Sequence, residues 1–470
     1  MSPTCLHRTR TLLALLVLAS GGGCDGPASR TGRDGGADAA AGPDAGDPDG
    51  GAGGDAHLGP PDGGTGGDDA AAEAGSPTPA DLGLVDWSHA GYPGDIPALA
   101  GPLIDVTDEG ALCDGVTDDA PAIQAAIDGA TAPAVVRLPA RTCRIEAPLV
   151  LASGIVLRGA GSEATVLACR NGSGCLQIQG VVIGDYVALQ SGLQQGSTHV
   201  EVASAAGFAV GQGAEIRQEN IVPASADWGE YDVGQMVRVV AIQGSTLTVH
   251  PPLHLTYTLD KNPEARPVRF VEQVGLEDLT LRRIDSGTSD GASNVSMRWA
   301  ADTWIRRVES DFTEKYHVAI SESLHLEVRD SYFHDAKSKG DGGQGYGVSL
   351  ARYATSILVE NNVFYETRHA MIVQLGTSGC VFGYNYAERN YSDDGWDKTY
   401  ISLHGHYAFM NLFESNVVGW VGVGDYWGAV GPGNAFFRNR LLGTDQHQGF
   451  GEYRGIELGE YHGTQYVIGN

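Results

Sequence analysis

The second half of the chain repeats itself, and the repeat leaves few folds open. The segments Leu326–Phe333, Ile357–Phe364, Cys380–Ala387, Asn411–Val418, Ala435–Leu442 and Gln465–Asn470 each hold a short alternation of apolar and polar residues. Their equivalent positions, read as Val328, Val359, Phe382, Phe413, Phe437 and Val467, lie 31, 23, 31, 24 and 30 residues apart. An earlier copy spans Ile305–Phe312. A second alternation precedes most copies: Val318/Ile320, Val348/Leu350, Val373/Leu375, Ile401/Leu403 and Ile456/Leu458. Alternation of period two marks a strand. Two to three such strands in a period of about 23 residues make one coil of a β-solenoid. The extra residues of alternate coils must leave the stack as loops. Asn362, Asn385, Asn416 and Asn470 recur at one turn position, where asparagine tolerates positive φ and bonds its stacked neighbours. A β-sandwich gives no fixed period with asparagine at one phase. The expected fold is all-β: a right-handed parallel β-helix. Its last coil stops at Asn470 with no cap in sight, so either a partner covers that edge or the sequence is part of a longer protein.

The stretch Asp105–Ile127, followed by Val136–Ala140 and Leu157–Gly161, resembles the opening of the pectate-lyase-like superfamily, the rhamnogalacturonases and epimerases among its members. The resemblance implies a β-helix whose first coil is closed by a helix, and an activity on polysaccharide. The residues agree. Thr117 or Asp118 can cap a helix running to about Asp128, and Ala122, Ile123, Ala126 and Ile127 form one apolar face. Such a helix covers strand edges that would otherwise invite pairing, so these residues are structural.

The N-terminus carries His7, Arg8 and Arg10, then the apolar run Leu12–Ala19, then small residues up to Cys24. Residues 1–23 read as a secretory signal, because eight apolar residues cannot span a bilayer. Cys24 stands where a bacterial lipoprotein is lipidated, although Gly21 occupies a position usually held by leucine. Residues 24–80 are almost entirely Gly, Ala, Asp and Pro, which cannot bury enough apolar surface to order themselves. They read as a disordered tether reaching roughly 40 Å. The expectation is an exported chain: a cell-surface or outer-membrane lipoprotein, otherwise secreted or periplasmic.

Domain boundaries follow: 81–184 for the N-terminal cap and first coils, 185–265 for a small β insertion, and 266–470 for the remaining coils. Within the insertion, Thr198–Val202, Gln235–Val240 and Thr246–His250 alternate between glycine turns. It either walls a binding groove or decorates the shaft.

The formal charge is −28; the first 80 residues contribute 11 acidic and 4 basic groups, leaving about −21 on the rest. That argues against a nucleic-acid partner, which calls for a basic face. An anionic polysaccharide needs a local basic groove or a bound cation. Beyond Cys5 and Cys24, five cysteines remain in an oxidising compartment. Cys169 with Cys175 is the expected disulfide, Cys113 with Cys143 a weaker one, and Cys380 the thiol left over.

Candidate site residues cluster in the loops leading into the second alternation. They are Lys337, Lys339 and Asp341; Arg368 and His369; Asp393, Asp394, Asp397 and Lys398; Asp425, Tyr426 and Trp427; and Tyr453 and Arg454. Gln374, Glu457 and the pair His404 and His406 lie beside them. Coils stacked about 4.8 Å apart turn such loops into a ladder matching an extended sugar chain. In a lyase, a base removes the proton α to a uronate carboxylate whose charge must be neutralised. Arg368, His369, Lys398, His404 and Asp425 are the catalytic candidates; Lys337, Trp427, Arg454, His406 and Gln374 the substrate-binding ones. Asp393, Asp394 and Asp397 are candidate Ca²⁺ ligands. A glycoside hydrolase would instead use Asp393 or Asp394 with Asp425 as its carboxylate pair. A uronate epimerase shares the lyase chemistry up to proton return, and a non-catalytic adhesin or glycan-binding module is the alternative class.

Overall fold

In the computed structural model, the described residues are 82–97, 101–284, 292–340, 343–392, 399–425, 427–443, 455–459 and 462–470. They form a parallel β-helix. One face is a nine-stranded parallel sheet containing Leu149–Val150, Leu176–Gln179, Val295–Arg298, Tyr316–Ser321, Tyr346–Ala351, His369–Val373, Ile401–Leu403, Val421–Val423 and Ile456–Leu458. We call it the first sheet. The other two faces are hydrogen-bonded into one 20-stranded sheet. In each later coil a strand such as Leu358–Glu360 turns into a second such as Val363–Tyr365. The core runs the length of the shaft, with inward phenylalanines stacked rung on rung: Phe333 on Phe364, and Phe382, Phe413 and Phe436 with ring centres 5.0 and 5.1 Å apart.

The register corrects the sequence reading in two places. Phe413 pairs with Phe436, which is fully buried, while Phe437 faces outward. In the first sheet Met371 and Val373, not Val373 and Leu375, pair with Val348 and Leu350, and Leu375 has left the strand at a φ of 53°. A rung at Val421/Val423 escaped notice because a glycine separates its two valines. A shift of one residue turns every side chain to the opposite face, so burial decides the register.

The turn asparagines act differently from expected. The left-handed residues are their predecessors, Asn361, Tyr384, Ser415 and Arg438, with φ between 52 and 56°. Asn362, Asn385, Asn416, Asn439 and Asn470 follow at intervals of 23, 31, 23 and 31 residues, and their amides form one ladder inside the stack. Asn385 is typical. Its Nδ2 donates to Val359 O at 2.9 Å and to Asn416 Oδ1 at 3.0 Å, while its Oδ1 accepts from the backbone and side chain of Asn362. A second, shorter ladder joins Asn411 to Asn434.

The helix Ala120–Gly129 closes the first coil with Ile123, Ala126 and Ile127 inward. Asp118 accepts from the N–H of Ala120 at its start. Gln124 both donates to and accepts from the backbone of Val150, satisfying the edge strand of the first sheet. Disulfides join Cys113 to Cys143 and Cys169 to Cys175, and Cys380 is a buried thiol. Residues 82–97 lie along the outside of the second face, pinned by Trp87 Nε1 donating to Met410 O at 2.7 Å. No helix among the described residues is long and apolar enough to cross a membrane.

The insertion is wider than residues 185–265. Its seven-stranded antiparallel sheet runs from Val181–Val182 to Glu264–Arg269. Six strands close on themselves, because Val187–Ser191 pairs with both His199–Val202 and Glu264–Arg269. The result is a small barrel around Val200, Val202, Ile216, Val237, Val249 and Tyr257.

Two outcomes follow. Asn385→Ala strands buried donors and acceptors on both neighbouring rungs, and should lower stability in chemical denaturation by about 2–3 kcal/mol. The buried imidazoles set the acid limit. His317 accepts from Ser310 at Nδ1 and donates from Nε2 to Asp335 O, and burial, with repulsion from His334 next, pushes its pKa down to about 3. Burial likewise brings His254 down to about 3 and His325 to about 4, with neighbouring histidines adding to the effect. Between these values and the ordinary 6.5, the unfolded chain binds protons that the folded one does not. The contribution of these imidazoles to stability is therefore full above pH 6.5 and is lost as pH drops towards about 3. His317→Asn should flatten a plot of melting temperature against pH over that window.

Candidate active site

The outer row of the first sheet is built mostly of small residues. Ser296, Ala319, Ser349, Ile372, Ser402 and Gly422 stand in register, and the next outward row holds Arg298, Ser321 and Ala351. Gln374 and His404 continue that row just past their strands, their N–H groups donating to Leu350 O and Val373 O. Within this row Ser349, Ile372 and Ser402 are buried, while Gln374 and His404, just past the strand ends, stay partly exposed.

His404 is held there by the next coil. Asp425 follows the strand Val421–Val423, and its Oδ2 is hydrogen-bonded to His404 Nδ1. Asp425 Oδ1 accepts from the N–H of Trp427 at 2.9 Å and of Gly405 at 3.3 Å. A side chain at Gly405 would run into Gly428 N at 2.6 Å and Asp425 Oδ1 at 3.0 Å, so only glycine lets the two turns approach. Burial alone would raise the Asp425 carboxyl. The hydrogen bond and charge of His404, with the two backbone N–H groups, bring it below the ordinary range. An ionised carboxylate on Nδ1 fixes the tautomer and leaves Nε2 as the acceptor, the arrangement of a general base.

The barrel insertion reaches this point. Trp228 stacks on the His404 ring, centres 5.8 Å apart and planes 22° apart, and meets Trp427 at 5.5 Å. Arg352 donates to Trp228 O at 3.0 Å, and Ser225 donates to Trp427 O. Beside this contact the insertion encloses a cleft of about 450 Å³ lined by Glu219, Asn220, Ser225, Asp227, Glu230 and Tyr231. Among the described residues its lining carries carboxylates and no lysine or arginine. Trp228, Arg352 and Asp232 were not read as site residues in the sequence, since nothing local ties residue 228 to residue 404.

The other candidates are dispersed. His406 is a correction: it has a φ of 65° and its ring is fully buried under the insertion, 4.1 Å from the Trp228 ring and 3.9 Å from Asp232, so it is not open to a substrate. Arg368 and His369 are buried and braced. Arg368 donates to Gly340 O, and His369 Nδ1 lies 2.8 Å from Thr399 O with its ring against Tyr346. His369 opens its strand while His404 follows the end of the neighbouring one, five residues along the register and about 17 Å apart at the usual rise. Lys337 is exposed, and Lys339 is buried with its amine donating to Ala336 O and Tyr391 Oη. Cys24, Asp341, Asp393, Asp394, Asp397, Lys398, Tyr426, Tyr453 and Arg454 lie outside the described residues. The set Asp311, His334 and Asp335 brings potential ligand atoms within 4.8 Å of one another on another face. Asp311 is tied to Arg282 at 2.6 Å, and a set including imidazole is unlike the all-oxygen shell Ca²⁺ takes.

Fold and site together define a parallel β-helix carrying a histidine–aspartate pair on its first sheet. Residues 103–210 match the family model "Rhamnogalacturonase A/epimerase, pectate lyase-like", a segment that ends well before His404. No curated protein sequence matches the chain. Among solved structures, the tailspike protein gp49 of Pseudomonas phage LKA1 is similar at 15% identity and a TM-score of 0.54. That match covers 72% of this chain and 59% of the tailspike, so the chain spans less than two thirds of its length. The Gp54 tailspike of Acinetobacter baumannii bacteriophage AP22, solved with A. baumannii capsular saccharide, gives 10% identity and 0.42 over 78% and 72% of the two chains. The Yersinia enterocolitica Family 28 exopolygalacturonase gives 14% and 0.35 over 78% of each.

The buried Asp232 yields a measurable consequence. Burial pushes its carboxyl up to about 8, against a small opposing effect of its own N–H. A raised folded pKa means the folded chain must bind a proton that the unfolded chain has released. The cost is absent below the ordinary 3.8 and grows as pH rises to about 8. Asp232→Asn should therefore stabilise the protein by a few kcal/mol at pH 8, at about 1.4 kcal/mol per pKa unit. The melting curves of variant and wild type should converge near pH 4.

Proposed function

We propose that the chain is an exported polysaccharide lyase that cleaves a uronate-containing glycan by β-elimination, with His404 as the base and Asp425 as its orienting partner. The observation that carries this reading is the His404–Asp425 pair at the margin of the first sheet, with Asp425 bonded to His404 and to two backbone N–H groups. A carboxylate so engaged is poorly placed to protonate a glycosidic oxygen, which favours proton abstraction over hydrolysis. In the step, Nε2 takes the proton α to the uronate carboxylate. The C–H electron pair becomes the new C=C bond, and the glycosidic oxygen leaves and is protonated from the imidazolium or solvent. The substrate carboxylate needs a positive partner. Lys398, Arg454 or a Ca²⁺ held by Asp393, Asp394 and Asp397 would supply it. The N-terminal signal and Cys24 suit a surface lipoprotein whose tether holds the enzyme clear of the membrane.

A panel of uronate polymers, with and without EDTA, tests the reading. The wild type should generate the ultraviolet absorbance of an unsaturated uronate. His404→Ala should lose about 10²–10⁴-fold in turnover, the usual contribution of a positioned base. Loss with EDTA and recovery with Ca²⁺ would assign the metal. Reducing ends without unsaturation would mean hydrolysis, and inverted uronate without cleavage an epimerase. Glycan retention with no chemistry would mean an adhesin, and unchanged turnover in His404→Ala would remove the assigned base.

A further inference from the structure

Among its several contacts with the shaft, the barrel insertion touches the turn that carries the candidate base, and four features of that contact belong together. The indole of Trp228 lies over one face of the His404 ring at 5.8 Å, nearly parallel, and Trp427 stands across it at 6.4 Å and 80°. The segment carrying Trp228 is braced from both sides: Asn220 Nδ2 donates to Gly229 O at 2.8 Å, Asn220 Oδ1 accepts from Asp232 N at 2.9 Å, and Arg352 of the shaft donates to Trp228 O at 3.0 Å. A side chain at Gly229 would come within 2.0 Å of the His406 ring, so the segment rests directly on the turn that carries His404. Trp228 is 38% exposed although its ring has neighbours on several sides, so it borders solvent at the mouth of the contact.

We propose that Trp228 is a positioning residue. The insertion delivers it to the turn past the first-sheet strands, where it holds the His404 imidazole against Asp425. The proposal rests on the reading of His404 as the base. Asp425 alone fixes one atom of the ring and leaves rotation about that hydrogen bond open. A parallel indole on one face and a perpendicular one across it remove that freedom, and a misplacement of about 1 Å at a catalytic group costs on the order of 10²-fold. The seat of the segment is built for contact and not for strength. Asp232 and His406 are buried beneath it 3.9 Å apart, and Asp232 Oδ1 and both ring nitrogens of His406 make no hydrogen bond within the protein. Such groups hold a surface less firmly than satisfied ones, so removing the indole should free the imidazole without unfolding the barrel, whose own core is separate.

Two measurements on Trp228→Ala and Trp228→Phe, in the full chain, decide it. The first needs no substrate. Acylation of His404 by diethyl pyrocarbonate, followed by peptide mass spectrometry, should be about tenfold faster in Trp228→Ala and near the wild-type rate in Trp228→Phe. Equal rates in all three proteins would overturn the proposal. The second is kinetic: Trp228→Ala should lower kcat by about 10²-fold with a much smaller change in KM, and Trp228→Phe should recover most of it. A rise in KM at unchanged kcat would make Trp228 a substrate contact and overturn the positioning role. If His404→Ala keeps full turnover, the reading of the base fails. The acylation rates still report whether the indole holds the ring, so the two failures are distinguishable.

Discussion

Everything in this molecule hangs on backbone hydrogen bonds between successive coils, and those bonds are only possible if every coil turns at the same place. A parallel stack has no hairpins to set register, so register must come from side chains. The asparagine ladder does this from within. Each amide bridges neighbouring rungs, donating to a carbonyl of the preceding coil on one side and to the next asparagine on the other. A coil slipped by one residue would leave a buried amide without partners and turn a phenylalanine stack outward, so the penalties for polar and apolar misregister act together.

Because the turns are pinned, length variation is confined elsewhere. The ladder intervals alternate between 23 and 31 residues, yet the strands pair without a break. The extra residues fall between the third strand of one coil and the first-sheet strand of the next. The largest excursion, the closed barrel, leaves at another corner, between the first-sheet strand Leu176–Gln179 and the strand Val271–Glu272 that follows it in the same coil. A barrel that satisfies its own edges can be inserted at such a point without disturbing the ladder. Its strands lie early in the chain, while its contact with Trp427 bridges 202 residues.

That separation explains what could be read in the sequence. The solenoid was legible because its signal is local and repeated: valines and phenylalanines at alternate positions, asparagines at one phase. The errors were also local, as between Phe436 and Phe437, where two adjacent apolar residues offer two registers and only Asn434 and Asn439 on either side fix the choice. His404 and Asp425 stood out by residue type. Their pairing did not, because it depends on two turns meeting one coil apart across Gly405. His406 looked equivalent to His404 in the sequence. His404 stays partly exposed, whereas His406, itself left-handed, is covered by Trp228 and Gly229 of the insertion, and pattern alone does not record that.

The charge distribution bears on which glycan fits such a site. The chain is strongly acidic, and the described part of the cleft beside Trp228 adds Glu219, Asp227 and Glu230 with no cation among its lining residues. The nearby guanidinium of Arg217 is committed to Glu264 and sandwiched between the rings of Tyr186 and Tyr231. A uniform polyuronate would meet repulsion along this wall, and its attraction would have to come from the opposite margin or from a bound cation. A glycan in which uronates alternate with neutral sugars avoids the conflict. Under the proposed function such a glycan would place a neutral residue against the acidic wall and its uronate towards His404, and the wall would discriminate by charge.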